Sequence, residues 1–240
     1  VNSTSPQHAH PDPEQTRSIV VLSGGMSDTS SSRMLADRLT QKTLDRLNGK
    51  GIPAAVSIIE LRPLAANIAQ AIVSGFPDPD LQAAIDRLAA ADAVIATTPI
   101  YKAGISGLFK AFMDILDNDL LIAVPVVLAA TGGSARHALV IDDQLRPLFA
   151  FMRTLTTPTS LFAAPEDWGD SALTTRIERA ATELAAMVTT GIRAAITDDA
   201  WGKYQHTFAG NARPATAAPE VAFDTDLMRL ATGGTLAARA

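Results

Sequence analysis

The sequence predicts an α/β fold: a doubly wound, five-stranded parallel sheet in the order 2-1-3-4-5, with helices on both faces making three layers. Three observations lead there. Short apolar runs alternate with segments of helical spacing, each apolar run ends in a turn of Gly, Ser, Thr or Pro, and the first strand lacks two glycine motifs. Alternation requires parallel strands, because each crossover returns right-handed over the sheet and leaves a helix on one face or the other. The missing motifs, G-x-G-x-x-G and G-x-x-x-x-G-K-[ST], count against a dinucleotide Rossmann fold and a P-loop, which share that alternation.

In chain order, residues 1–16 are polar and hold three prolines, so they are expected to form a disordered tail that cannot repay the entropy of ordering. His8 and His10 in that tail read as solvent-exposed rather than as a metal site. Ile19, Val20, Val21 and Leu22 make a buried strand that ends in Ser23-Gly24-Gly25. Between about Ser30 and Asn48, Leu35, Ala36, Leu39, Thr43 and Leu47 fall on one helical face. Further strands are expected at Ala54–Ile59, Ala93–Thr98, Pro125–Ala130 and Thr156–Phe162. Helices follow Gly104, with Leu108, Ala111, Phe112 and Ile115 aligned, and span Ile177 to Val188 near the far end. One domain is thus expected over 17–193. Residues 194–240, rich in Ala, Thr and Pro, read as a partly flexible C-terminal extension. Its Trp201, Tyr204 and Phe208, spaced three and four apart, form either an amphipathic anchor or a latch on the core.

Composition narrows the chemistry. With no cysteine in 240 residues, disulfides, Cys-ligated zinc, iron–sulfur clusters and thiol nucleophiles are excluded, so redox chemistry needs a bound cofactor. A net charge of −5, with no long run of either sign, gives no electrostatic footprint for nucleic acid. No apolar stretch approaches the roughly 20 residues needed to cross a bilayer, and the expected setting is cytoplasmic.

Ligands of doubly wound sheets sit beyond the carboxyl ends of the strands, which singles out three loops. The first runs from Ser23 to Arg33 and offers the hydroxyls of Ser27, Thr29, Ser30, Ser31 and Ser32 just before a helix. Free N–H groups and the helix dipole favour a terminal phosphate there; the plainer reading is that Asp28, Thr29 or Ser30 simply caps the helix. The second, Thr97 to Gly107, suits the edge of a planar ligand with Tyr101 and Lys102 at its rim, or else packs Ile100 and Tyr101 into the core. The third, Thr131-Gly132-Gly133-Ser134-Ala135-Arg136-His137, combines glycines that permit close backbone approach with hydroxyls and a helix start. Its main chain suits the carbonyl and imide edge of a pyrimidine ring. His137 is either an acid–base candidate or a structural hydrogen-bonder.

The segments SGGMSDTSSSRML, TPIYKAGISGLFKAFMDIL and TGGSARHALVIDDQLRPLFAFM, in this order and at strand ends, resemble the NADPH-dependent FMN reductase family of flavodoxin-like proteins. The likeness is strongest to flavin reductases that supply reduced FMN to two-component monooxygenases. It spans about Arg17 to Arg193, and its most specific part is the turn and helix carrying Pro99, Tyr101, Lys102, Ser106, Gly107, Leu108, Lys110 and Asp114.

The resemblance implies a flavodoxin-like fold and an NAD(P)H:FMN oxidoreductase with FMN and NADPH or NADH as cofactors. Hydride would pass from nicotinamide C4 to flavin N5 between stacked rings, without a catalytic side chain. It places Ser23, Ser30 and Ser32 at the FMN phosphate, within the same hydroxyl shell as Ser27, Thr29 and Ser31. Pro99, Ile100 and Tyr101 would lie along the flavin with Lys102 at the rim, and Thr131, Gly132, Gly133 and Ser134 at the isoalloxazine edge. Ser27 stands where many relatives carry Arg, leaving the phosphate to neutral donors and the helix end. A flavin-dependent monooxygenase partner and a homodimer or homotetramer are also implied. The segment Ile141 to Met152, kinked around Pro147, would turn Leu145, Leu148 and Phe149 to a second subunit or to the core. Two other readings share the fold: a reductase of quinones, azo dyes or metal oxyanions with bound FMN, and a flavodoxin-type electron carrier. The moderate charge and only 12 aromatic residues favour the enzyme with exchangeable flavin over the carrier.

Overall fold

A computed structural model describes residues 15–197. Most of the expected N-terminal tail, with His8 and His10, and nearly all of the expected extension, with Trp201, Tyr204 and Phe208, lie outside the described residues. The sheet is built from β1 (Arg17–Ser23), β2 (Ala54–Glu60), β3 (Ala93–Tyr101), β4 (Gly104–Ile105), β5 (Pro125–Thr131), β6 (Leu155–Thr156) and β7 (Leu161–Ala163). Its order is β2-β1-β3-β5, with β6 and β7 both beside β5 and every one of these pairings parallel. This is the expected order, except that the last strand is in two pieces and a two-residue β4 returns antiparallel on β3.

The helices are α1 (Ser31–Asn48), α2 (Ala65–Ser74), α3 (Pro79–Ala89), α4 (Gly107–Asp114), α5 (Arg146–Phe151), α6 (Ser171–Thr189) and α7 (Ile192–Ile196). Local chemistry sets their ends. Asp78 caps α3 by accepting from the Leu81 N–H at 2.9 Å, with Pro79 at the first helical position, where no donor is needed. Gly75 closes α2 in the left-handed region at φ 79°, where any side chain would be strained.

The strands divide the apolar residues between two cores. Successive residues of β1 alternate: Ile19 and Val21 face Leu35, Leu39, Ile177 and Leu184 of α1 and α6, whereas Val20 and Leu22 face Leu81, Leu88, Phe112 and Phe149. Central strands buried on both sides read as continuous apolar runs, which is why they were legible.

The expected unbroken strand Thr156–Phe162 is corrected by the structure. Pro158 has no N–H for the ladder, and the chain leaves the sheet between β6 and β7. Glu183 of α6 takes over the loop, accepting from the Thr159 N–H at 2.8 Å and its hydroxyl at 2.7 Å. Around Pro147 the expected kink is a π-helical turn, Ile141–Leu145, closed by the Arg146 N–H on the Ile141 carbonyl. Leu145 and Phe149 are fully buried and Leu148 packs against the same core, so this face belongs to the protein's own interior.

Candidate functional site

The register brings the three loops together. Ser23 lies beside Thr97 across β1 and β3, and Pro99 beside Thr131 across β3 and β5, so the chain leaves three neighbouring strands at one edge.

The first loop opens the N-terminus of α1. Ser30 is the N-cap, with an extended backbone and its hydroxyl accepting from the Arg33 N–H at 3.4 Å. The first intrahelical bond runs from the Met34 N–H to the Ser30 carbonyl, leaving the N–H groups of Ser31 and Ser32 without one. No acidic residue stands in this first turn, so the positive end of an 18-residue helix is left uncompensated there. Gly25 makes room: a Cβ there would lie 2.1 Å from the Ser30 hydroxyl. A Cβ on Gly24 would meet the Phe109 ring of α4 at 3.0 Å. Ser23 is buried beneath the loop, while Ser27, Thr29 and Ser31 are exposed around the helix end. The chemistry of this donor set fits a phosphate: neutral hydroxyls, free N–H groups and no competing carboxylate in the turn. The nearby arginines are committed elsewhere, Arg33 to Asp37 at 2.7 Å and to Glu60, and Arg62 to Asp28. The hydrogen bond to Asp37, with a further one to Glu60, holds the Arg33 guanidinium above its ordinary pKa despite partial burial.

Ser32 does something different from its neighbours. It is fully buried, and its hydroxyl is 2.7 Å from that of Thr131, which Ser31 also reaches at 3.3 Å. These bonds fasten the start of α1 to the end of β5, so Ser32 and Thr131 act as a clasp between two loops.

The second loop is a β-hairpin. Ile100 pairs with Ile105 and Tyr101 with Gly104, around Lys102 and Ala103. Both turn residues are left-handed, at φ 51° and 62°, a conformation in which a side chain costs about 1–2 kcal/mol per residue. The two readings of this loop divide by residue: Ile100 is buried in the core, whereas Tyr101 is 52% exposed and Lys102 stands exposed at the apex. Pro99 is buried at the hairpin's root, where its carbonyl accepts from the Ser106 N–H at 3.1 Å.

The third loop carries no α-helix start. After Ser134 comes only a three-residue 3₁₀ turn, Ala135–His137, so the expected helix dipole is missing there. Its glycines also differ. Gly132 is small because a Cβ would meet the Phe162 ring at 3.0 Å, a packing requirement, while Gly133 faces open space. Ser134 accepts from Arg136 Nε at 3.5 Å, and His137 is half-buried with its Cβ 3.5 Å from the position a Gly132 Cβ would take.

Two contributors were not anticipated. Gln144, from the π turn, bonds the hairpin backbone twice: Oε1 accepts from the Ile105 N–H at 3.1 Å and Nε2 donates to the Ala103 carbonyl at 3.3 Å. Phe109, whose side chain lies close beside Gly24, tilts against Phe149 with ring centroids 6.4 Å apart. A disrupted helix was legible from Pro147, but nothing in the sequence pairs Gln144 with a hairpin 41 positions away. Among the described residues no cluster of His, Asp or Glu is able to hold a metal, and no helix is long and apolar enough to cross a membrane.

Residues 17–169 match the family model described as NADPH-dependent FMN reductase. The chain belongs to the NADPH-dependent FMN reductase family. As a member it is an oxidoreductase that reduces FMN with a reduced nicotinamide dinucleotide. The reductase is 36% identical over 168 residues to the FMN reductase (NADPH) of Pseudomonas aeruginosa, covering 70% of this chain and 88% of that one. It is 38% identical over 168 residues to the NADH-dependent FMN reductase SfnF of Pseudomonas fluorescens, covering 70% and 87%. Among solved structures it is similar to an oxidoreductase from Corynebacterium diphtheriae at 40% identity and a TM-score of 0.70, over 72% of this chain and 97% of that one.

Proposed function

We propose that this reductase binds FMN reversibly at the carboxyl edge of its sheet and releases reduced FMN to a partner flavin-dependent monooxygenase. The observation that carries the reading is the N-terminus of α1, open, capped by Ser30 and free of acidic residues in its first turn, beside the hairpin of β3 and β4. In this reading the FMN phosphate sits on the N–H groups of Ser31 and Ser32, within the hydroxyls of Ser27, Thr29, Ser30 and Ser31 and above Ser23. Ser32 and Thr131 hold the two loops at the spacing the ligand needs. Pro99 and Ile100 shape the wall from the core side, Tyr101 and Lys102 border the ring, and the main chain of Gly132, Gly133 and Ser134 meets the isoalloxazine edge.

FMN, when bound, supplies the electrophilic centre that accepts hydride from the dinucleotide. The protein's part is to bind and orient: main-chain and hydroxyl donors would hold one end of the flavin, the hairpin would border its ring, and the chemistry needs the nicotinamide and flavin rings brought into contact. Exchange is favoured by what borders the site. Tyr101 is the exposed aromatic of these three loops, and the nearby Phe109 and Phe162 are buried in packing, so among the described residues these loops offer no pair of exposed rings to sandwich the flavin. Neutral donors in place of an arginine hold the phosphate less tightly.

The deciding assay is NADH and NADPH oxidation by dialysed protein, with and without added FMN, coupled to a flavin-dependent monooxygenase across a dialysis barrier. Colourless protein that turns over only with added FMN, and supports the monooxygenase through the barrier, is the expected result. Stoichiometric FMN that survives dialysis, with turnover passing to a quinone instead, overturns it.

A further inference from the structure

We infer that Gln144 is a positioning residue for the flavin: a latch on the π turn that holds the Tyr101-Lys102-Ala103-Gly104 hairpin in the shape that borders the ring. The inference rests on the proposed placement of that hairpin at the flavin.

The turn does not hold itself. A two-residue hairpin with both central residues left-handed is the form that Asn-Gly or Gly-Gly takes readily, and here the positions are filled by Lys102 and Ala103. Left to its local preferences, this segment would abandon the turn, so the surrounding structure has to impose it. Thr98 and Pro99 secure one end, where the Ser106 N–H reaches the Thr98 hydroxyl at 3.2 Å and the Pro99 carbonyl at 3.1 Å. Gln144 secures the other. Its amide takes the Ile105 N–H and gives to the Ala103 carbonyl, spanning the strained residue and its return strand with one planar group. Gly104 permits the approach, since a Cβ there would crowd Gln144 Oε1 to 3.2 Å.

The latch is itself anchored. The π turn admits one extra residue before Pro147, and Arg146 fixes it by reaching Asp142 at 2.9 Å, the Thr156 hydroxyl at 2.9 Å and the Thr157 carbonyl at 3.3 Å. A rigid path therefore runs from the end of β6, through Arg146 and Gln144, to the hairpin. Gln144 is exposed and outside both cores, so its replacement leaves the fold intact and acts on the turn alone.

The test reads hairpin order and flavin affinity separately, by amide hydrogen exchange at Ile105 and by steady-state kinetics at saturating dinucleotide. Gln144→Ala is expected to speed Ile105 exchange and to raise KM for FMN about tenfold with kcat within about twofold, the signature of lost pre-organisation. Adding Ala103→Gly, which adopts the turn without strain, is expected to return most of the affinity. Gln144→Glu keeps the acceptor for Ile105 and sets a carboxylate against the Ala103 carbonyl; an intermediate KM is expected. Faster exchange with unchanged KM would place the hairpin away from the flavin and overturn the positioning role through the site assignment. Unchanged exchange in Gln144→Ala would overturn the latch while leaving that assignment intact.

Discussion

At the scale of single residues, the site depends on what Gly25 lacks and what Ser30 does twice. Ser30 ends the loop as an N-cap and also stands in the expected phosphate shell, so alanine there would confuse helix stability with binding. Ser30→Asp separates the two, because aspartate caps as well as serine but brings a negative charge to the phosphate position. FMN affinity is expected to fall at least 100-fold by fluorescence titration, with riboflavin affinity within about threefold; equal losses would remove the phosphate from this helix end. Gly25→Ala drives a methyl into the Ser30 hydroxyl, 2.1 Å away, and so expels the cap. A stability loss of about 1–2 kcal/mol in urea denaturation, together with weakened FMN binding, is the expected outcome. The sequence made Ser30 legible because caps are a local matter. Ser32 looked the same in the sequence, yet its hydroxyl also bonds that of Thr131, 99 positions on, and only the folded chain reveals that.

Elements were legible where one physical cause dominates. The central strands and the amphipathic faces of α1 and α6 follow from burial periodicity alone. Where backbone bonding competes with pattern, the sequence misled. Thr156–Phe162 reads as one strand, but Pro158 removes a ladder donor and the strand divides. The Lys102-Ala103 turn contains none of the residues that announce a left-handed hairpin, and the supposed helix after Gly133 is a single 3₁₀ turn. The divided strand gives a test at this scale. Glu183 holds the detour by both the N–H and the hydroxyl of Thr159, so Glu183→Ala leaves both without this acceptor. A loss of about 1–3 kcal/mol is expected from denaturant midpoints, with Glu183→Gln recovering part of it, since its amide oxygen still accepts. No change in midpoint would mean that the detour is held by the strand ends alone.

The whole molecule separates irregular from tightly fastened backbone along the strand direction. At the carboxyl ends the structure accepts irregularity: a left-handed hairpin, a π turn and an open helix end. The amino ends are fastened instead. Asp92 accepts from the Ser18 N–H at 2.7 Å, and Ser18 returns the bond by accepting from the Asp92 N–H at 2.8 Å. Beside them Arg193 of α7 donates to the Ala91 carbonyl and, at 3.2 Å, to that of Ala89 at the end of α3. Burial pushes the Arg193 guanidinium below its ordinary pKa, partly offset by Asp92, but at neutral pH it stays charged and caps the helix end. Arg193→Ala removes this donor from two carbonyls and uncouples α7 from the domain. The expected loss is about 1–3 kcal/mol, or a fall in Tm of roughly 2–10 °C. Arg193→Lys, with a single point of donation, should recover less than half. Neither change should move KM for FMN, because the proposed flavin edge is a full strand length away. A raised KM in a folded Arg193→Ala protein would show that the two ends of the sheet are coupled, and that the irregular edge depends on how firmly the opposite one is tied.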